Sequence, residues 1–469
     1  MFSTKKLSQY RLLAADTLTP VSIYLKLRDQ FVNSIILESS EYQSREGHFS
    51  YICCDPVAFF KLENTQLEVQ VPSGKLIRTS IDPSRLSEHL DRFIQRFKAE
   101  ESPNEFATNG AFGYMNFEAF RYADSLELNG TKPINKDIPD VFYQVFRYVL
   151  VFNHFTNELH LHKHFHADES LENKPDLDSI IAFIEGPNKN NYPFKASEKI
   201  ESSHSNDEFK NLVNQGINHC LKGDVFQIVL SRSFQRKYQG DEFNIYRTLR
   251  RINPSPYLFY FDFGNFKLLG SSPEAQIKIE NNDAIIYPIA GTCRRTHKSE
   301  DKELERQLRL DPKEKAEHMM LVDLARNDLN RISTKVQVEN LFEAQYFSHV
   351  IHMVSKVKGA QITQNAVDVN LKTFPAGTLS GAPKYKAIDL IHQMEPEPRS
   401  FYGGCIGFYD FQGQSNHAIM IRTALCKGNQ ITIQAGAGVV SQSKPENELE
   451  EVNNKLAAMN SAIENAQKL

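Results

Sequence analysis

Three apolar runs near the carboxyl end, residues 402–410, 417–426 and 430–440, are separated only by the polar turns QGQS and KGN. Connections this short join antiparallel strands, because a parallel pair needs a crossover of a dozen residues or more. The same punctuation recurs upstream. Residues 267–280 and 284–289 read as strands joined through Asn281, Asn282 and Asp283, and the aromatic run 142–152 turns near Asn153 into 159–165. Residues 209–221 have helical spacing stopped by Gly223, and a strand is expected over 225–234. Asp311 and Pro312 open another helix, with Asp as cap, Pro in the first turn and Glu314 at capping-box spacing. The run Ser443, Lys444, Pro445, Glu446 repeats that start signal for the last helix. Antiparallel strands interspersed with helices make an α+β fold.

The length of 469 residues corresponds to about three domain-sized units of about 150 residues. Residues 168–207 are rich in Glu, Asn, Lys, Ser and Pro, with one helix expected near 177–184. Their ENKPDLD and GPNKNNYP segments read as linker, which divides the chain into portions 1–190 and 191–469. Lys plus Arg number 54 against 58 Asp plus Glu, for a net charge of −4, whereas a nucleic-acid binder carries a basic stripe. No apolar stretch follows the lysines of MFSTKKLSQYRLL, and none elsewhere is long enough to span a bilayer, so neither a secretory signal nor a membrane helix is expected. Six scattered cysteines with no CxxC pair suit free thiols in a reducing cytoplasm.

Two helices each carry glutamates three apart, Glu314 with Glu317 and Glu448 with Glu451. Each pair lies on one helix face. If the faces meet, four carboxylates surround a site for a hard divalent cation, most simply Mg2+. Such faces are more often merely solvated, but in EHMMLVDLARND apolar residues continue around most of the helix, which predicts burial. Glycine-rich segments at IAGT, GTLSGAPK and AGAG allow backbone N–H groups to approach an anion, or serve turns sterically. Arg422 lies within the apolar run AIMIRTAL, where a guanidinium favours a carboxylate in fork geometry or a structural ion pair. Together these residues describe a pocket for a small carboxylate held by a metal and an arginine. Two like charges about 4 Å apart repel by about 4 kcal/mol at an effective dielectric of 20, so a carboxylate approaching four glutamates needs a cation between them.

Two other patterns are set aside. GGCIG around Cys405 matches the G-x-C-x-G spacing of a nucleophile elbow, but FYDFQGQS after it reads as strand and turn where an elbow needs a helix. His160, His162, His164 and His166 alternate, as on an exposed polar strand face.

The motifs PIAGTCRR, DPKEKAEHMMLVDLARNDLNRIS, HMVSKVKG, FPAGTLSGAPKYKAIDLI, YGGCIGFY, AIMIRTAL and QAGAGVVSQSKPENELEEVNNK resemble, in order, those of the chorismate-utilising enzymes, and in particular the large subunits that form anthranilate. The resemblance covers nearly all of residues 207–465, and more loosely Leu37, Glu38, Ser39 and the GAFGY run at 110–114. It implies antiparallel sheets packed face to face with helices outside. The implied reaction adds ammonia at C2 of chorismate as the 4-hydroxyl leaves, then eliminates pyruvate to give anthranilate. It implies Mg2+ on Glu317 and Glu451, with Glu314 and Glu448 supporting. Chorismate would be held by Gly291, Thr292, Tyr402, Arg422, Gly436, Ala437 and Gly438. Glu274 would protonate the departing hydroxyl, His352 would remove a proton during pyruvate loss, and Thr378 would position the eliminating side chain.

Gln227 stands where water-using relatives carry a lysine base, and Ala290 where many aminodeoxychorismate synthases carry a lysine. Both point to ammonia addition at C2. Aminodeoxychorismate formation, in the folate pathway, stays the alternative, and a catalytically dead tryptophan-binding subunit is a third reading. Ser39, Pro256, Tyr257 and Leu258 resemble the tryptophan inhibitor site of the family, and the absence of tryptophan from the chain suits an enzyme made when tryptophan is scarce. With no amidotransferase domain in the sequence, the resemblance implies that ammonia comes from a separate glutaminase subunit.

Overall fold

The computed structural model describes residues 7–39, 49–98, 106–123, 138–165, 174–187, 190–296, 300–346 and 350–469, leaving aside the side chains of Thr292, Arg294 and Lys313. Its strands form one antiparallel ladder whose middle comes from the first third of the chain. Phe49–Glu63 pairs with Val141–Asn153 over its length, and Val141–Asn153 also pairs with Gly110–Met115. From this centre the ladder extends both ways. In one direction Ile35–Glu38 leads to Tyr257–Asp262, Phe266–Ser272, Thr423–Lys427, Gln430–Val439 and Gln227–Gly240. In the other, Gly110–Met115 leads to Cys405–Asp410, Ser415–Ile419, Ala275–Glu280, Asp283–Ile286 and Val350–Ala360. Strands from before residue 190 thus form the middle of the ladder, and strands from after it form both arms.

The two arms face each other across an aromatic core that takes Phe112, Phe146 and Ile406 from one and Phe259, Phe261 and Leu425 from the other. Helices cover the outer faces. Asn206–Lys222, Phe243–Ile252 and Pro445–Ala466 pack over one arm, and Pro312–Asn330 with Ala366–Thr373 over the other. The expected sheets packed face to face with outer helices are therefore present.

Local signals explain the helix ends. Ser205 and Glu208 form a reciprocal capping box for Asn206–Lys222, and Gly223 ends it at φ +80°, in the left-handed region that glycine enters at no steric cost. Asp311 accepts from the Glu314 N–H at 3.3 Å, as its capping position predicts. The last helix differs: Lys444 occupies its cap without a side-chain bond, because the Ser443 hydroxyl accepts from the Val440 N–H instead.

Three sequence expectations are corrected. The strand expected over 267–280 is two strands, broken at Pro273 and Glu274. The run 417–426 is likewise two strands, and Arg422 lies between them at φ +49° rather than within a strand. Consequently the three carboxyl-terminal runs are not one meander: Ser415–Ile419 and Thr423–Lys427 belong to opposite arms. Finally, His162 and His164 are buried at 7% and 1% exposure, because Phe106 and Tyr10 pack their rings against His162 and His164 bonds the Thr108 carbonyl at 2.9 Å. His166 lies outside the described residues.

Behind the arm that carries Gln227 sits a buried ion pair. Arg399 and Glu395, 1% and 4% exposed, are bonded at 2.6 Å. The Arg399 guanidinium also donates to the Leu379 and Val229 carbonyls, each at 2.6 Å. The Ser231 N–H donates to Glu395 at 2.9 Å, so both charges are satisfied by fixed partners.

Candidate active site

The chain passes between the two arms at residues 273–274 and again at 420–422, and the two crossings are tied to each other. The Ile419 N–H donates to the Glu274 carbonyl at 2.9 Å, and the Ser271 N–H to the Arg422 carbonyl at 3.2 Å. Glu274 and Arg422 thereby reach the same cavity, of about 310 Å³, which opens between the arms. Thr378, in the short helix Gly377–Ser380, donates to Glu274 Oε1 at 3.0 Å. Burial pushes the Glu274 carboxyl up to about 7, against the opposing pull of the Thr378 bond and of Lys455 and Arg422. Glu274 is therefore an acid that titrates around neutrality rather than in the ordinary carboxylate range.

His352 lies opposite Thr292 in the ladder and lines the same cavity. Burial, then the Arg422 charge, drive it down to about 4 despite a bond to the Gly291 backbone. It is thus neutral at physiological pH and able to accept a proton. Burial also lowers the Arg422 guanidinium and raises the Tyr402 phenol. The Arg422 guanidinium reaches Asn253 Oδ1 only at 3.5 Å.

The glycines of the last strand serve close approach. A Cβ on Gly438 would stand 2.5 Å from Gln227 Nε2, and one on Gly436 2.9 Å from the Tyr402 hydroxyl. Both face the cavity, as do Gln227 and Tyr402. Ala437 between them turns the other way into the apolar core, as the two-residue period of a strand requires. Gly291 adopts φ +82°, and Glu314 Oε2 lies 3.3 Å from where its Cβ would be. The Thr292 side chain lies outside what is described, although its backbone is placed.

Of the four glutamates, Glu317 and Glu451 line the cavity, whereas Glu314 and Glu448 are not among its lining residues. Glu317 is exposed, and so is Met319 at 40%, so the helix that carries them is less enclosed than its apolar run predicts. Among the described residues no three His, Cys, Asp or Glu side chains cluster closely enough to hold a metal ion by themselves. Two carboxylates on one cavity nevertheless fit Mg2+, which commonly takes one or two from protein and completes its shell with substrate oxygens and water.

Sequence reasoning missed Lys455. It lines the cavity, pairs with Glu451 at 2.6 Å and donates to the Gly436 carbonyl at 2.9 Å. Its spacing, four residues after Glu451, was the available signal. Cys405 is buried at the start of a strand with its thiol pushed up to about 12, the opposite of an activated nucleophile.

Residues 33–461 match the family described as chorismate binding enzyme. The chain belongs to the chorismate-binding enzymes. It is 36% identical to anthranilate synthase component 1 of Aquifex aeolicus, covering 98% of this chain and 94% of the relative, and 36% identical to the same component of Neisseria meningitidis serogroup B, covering 95% and 93%. Among solved structures it resembles anthranilate synthase component I from Streptococcus pneumoniae, with a TM-score of 0.75 and 31% identity over 96% of this chain and 99% of the other. The menaquinone-specific isochorismate synthase MenF of Escherichia coli shares the fold, with a TM-score of 0.74 at 18% identity, over 98% and 95%. This chain is a chorismate-utilising enzyme.

A second cavity, of about 250 Å³, is lined by Leu37, Glu38, Ser39, Pro256, Tyr257 and Leu258 among others. These residues, some 220 positions apart in sequence, meet because Ile35–Glu38 and Tyr257–Asp262 are neighbouring strands, with Glu38 opposite Leu258. Glu38 is held by the Tyr246 hydroxyl at 2.5 Å and by Arg250 at 3.0 Å. Pro273 and Ile289 line both cavities, so the two share a wall one residue from Glu274.

Thr378→Val removes the donor that stabilises ionised Glu274, so the Glu274 pKa should rise further above about 7. An infrared titration of the protonated carboxyl band, compared with Glu274→Gln to assign it, checks the direction. An unchanged titration would show that the bond does not control this group.

Proposed function

We propose that the chain forms anthranilate and pyruvate from chorismate and ammonia. The observation that carries this reading is a buried Glu274, bonded to Thr378 and pushed up to about 7, in a cavity that presents Gln227 and Ala290 at the two positions where relatives carry lysines. Without a lysine at Gln227, water lacks a base to activate it, whereas ammonia is already a nucleophile. Ala290 offers no amine where a covalent intermediate at C4 would form, and the one lysine lining the cavity among the described residues, Lys455, is engaged by Glu451 and the Gly436 carbonyl.

In this mechanism Arg422 and the backbone around Gly436 and Gly438 bind a carboxylate of chorismate, and Tyr402 closes the pocket beside them. Glu274 donates its proton to the 4-hydroxyl as it leaves, and Thr378 fixes the carboxyl for that transfer. Neutral His352 accepts the ring proton lost as pyruvate departs. Mg2+, when bound, supplies positive charge opposite the ring carboxylate; Glu317 and Glu451 would hold it, with Glu314 and Glu448 close behind. Lys455 neutralises Glu451 in its absence.

Ammonia would come from a separate glutaminase subunit, as the family resemblance implies. Tryptophan would inhibit by filling the cavity at Ser39, Pro256, Tyr257 and Leu258 and pressing on the wall at Pro273 and Ile289. A cytoplasmic setting accords with six free cysteines and with no described helix long and apolar enough to cross a membrane.

Incubation with chorismate, MgCl2 and an ammonium salt should yield fluorescent anthranilate, and Glu317→Gln or Glu451→Gln should abolish both turnover and its Mg2+ dependence. Aminodeoxychorismate as product, or wild-type rates in either variant, would overturn the respective assignment. At saturating free ammonia, kcat/KM for chorismate should fall as pH rises through about 7, where Glu274 loses the proton it must donate, and stay level down to about 4, where His352 becomes charged. Glu274→Gln should remove that limb and cost about 10²- to 10⁴-fold in rate. Ser39→Ala should relieve inhibition by tryptophan while sparing ammonia-dependent turnover; an unchanged inhibition curve would place the inhibitor elsewhere.

A further inference from the structure

Glu274 and Thr378 also line a second, smaller compartment of about 30 Å³, walled by Gln276, Ala325, Asp328 and Thr373. A buried water needs about 10–15 Å³ of such space and two or more polar partners, so the compartment has room for about two. It also has a partner in need of one. Gln276 is 3% exposed, and its Nε2 donates to the Thr373 carbonyl at 3.3 Å, but its Oε1 finds no hydrogen-bond donor among the described residues. A buried acceptor left unsatisfied costs about 1–3 kcal/mol, which a water would offset.

Asp328 connects the compartment to the outside. Its side chain is 14% exposed, and Lys384 holds both its oxygens at 2.8 Å while also donating to the Thr373 carbonyl at 2.8 Å. Burial raises the Asp328 carboxyl while Lys384 pulls it down, and its oxygens are acceptors that can order water at the mouth of the compartment. On the other face of Glu274, bound substrate fills the main cavity, and the Arg422 and Lys455 charges there oppose the approach of a hydronium ion.

We propose that water in this compartment, fed from solvent past Asp328, returns a proton to Glu274 after each turnover. The proposal rests on the reading of Glu274 as the acid. In the forward step the carboxyl O–H bond breaks and its proton joins the leaving hydroxyl, which departs as water with the electron pair of the C–O bond. Glu274 is left as carboxylate. It then takes a proton from a compartment water, which is replenished from solvent along the water held by the Asp328 carboxylate. The proton released by the added ammonia leaves to solvent, and nothing is oxidised or reduced.

The relay is tested by filling the compartment with Ala325→Leu and, separately, by removing the orphaned acceptor with Gln276→Leu. Rapid-quench assays use the full chain with chorismate, MgCl2 and ammonium salt. With the assays run about one pH unit below the Glu274 pKa of about 7, where most of Glu274 starts protonated, each variant should make its first equivalent of product at close to the wild-type rate. Turnover should then slow about tenfold or more at unchanged KM, giving a burst that the wild type lacks. Small carboxylic-acid buffers should restore the slow phase. Steady-state rates equal to wild type in both variants, or a first turnover slowed as much as later ones, would overturn the relay. Failure of the underlying reading is seen separately, as wild-type turnover in Glu274→Gln.

Discussion

The acid and the cation of the candidate site, Glu274 and Arg422, depend on a chain that twice steps from one arm of the sheet to the other at adjacent points. A strand offers side chains only at alternate positions on each face, whereas a residue at a crossing can project between the two sheets. The crossings at 273–274 and 420–422 solve that geometric problem. They release Glu274 and Arg422 from the strand alternation, and the backbone bonds from Ile419 to Glu274 and from Ser271 to Arg422 fix their separation. The positive φ of Arg422 belongs to the same solution, since a non-glycine residue holds that conformation only where its surroundings enforce it.

The electrostatics follow from the enclosure. Burial disfavours whichever form of a group is charged, so one cavity moves the Glu274 carboxyl up to about 7 and the His352 imidazole down to about 4. The result is a carboxylic acid still partly protonated at neutrality beside an imidazole that is neutral there, a pairing that suits a proton donor and a proton acceptor in one site. Arg422 strengthens the second effect and opposes the first, which shows that desolvation outweighs the nearby charge at Glu274. The second cavity shares a wall with the first. Pro273 and Ile289 line both, so a ligand near Ser39 has a short path to the acid through the residue next to it.

Much of the scaffold was legible beforehand. Short polar turns announced antiparallel pairing, and the Asp311 cap and Gly223 stop placed two helices where they occur. The motifs pointed to Glu274, His352, Thr378, Arg422 and Tyr402 as members of one site, and all five line the same cavity. Other features were not legible. AIMIRTAL reads as one apolar strand because its crossing residues, Met420 and Ile421, are as apolar as strand residues. The alternating histidines look exposed because their pattern cannot reveal that Tyr10, Phe106 and Thr108 pack against them. Lys455 went unnoticed because a lysine one helical turn from a glutamate is ordinary on any solvated helix.

By itself, then, the amino-acid sequence determined the local elements, the α+β class and the chemical inventory of the site, because caps, turns, strand alternation and residue types are properties of neighbouring residues. Only the tertiary structure decided which strands belong to which arm, where the two crossings fall, and that Glu317 and Glu451 reach the cavity while Glu314 and Glu448 do not line it. It also decided the protonation of Glu274 and His352. The physical reason is that desolvation and long-range pairing depend on residues a hundred or more positions away, and no periodicity within a segment records them.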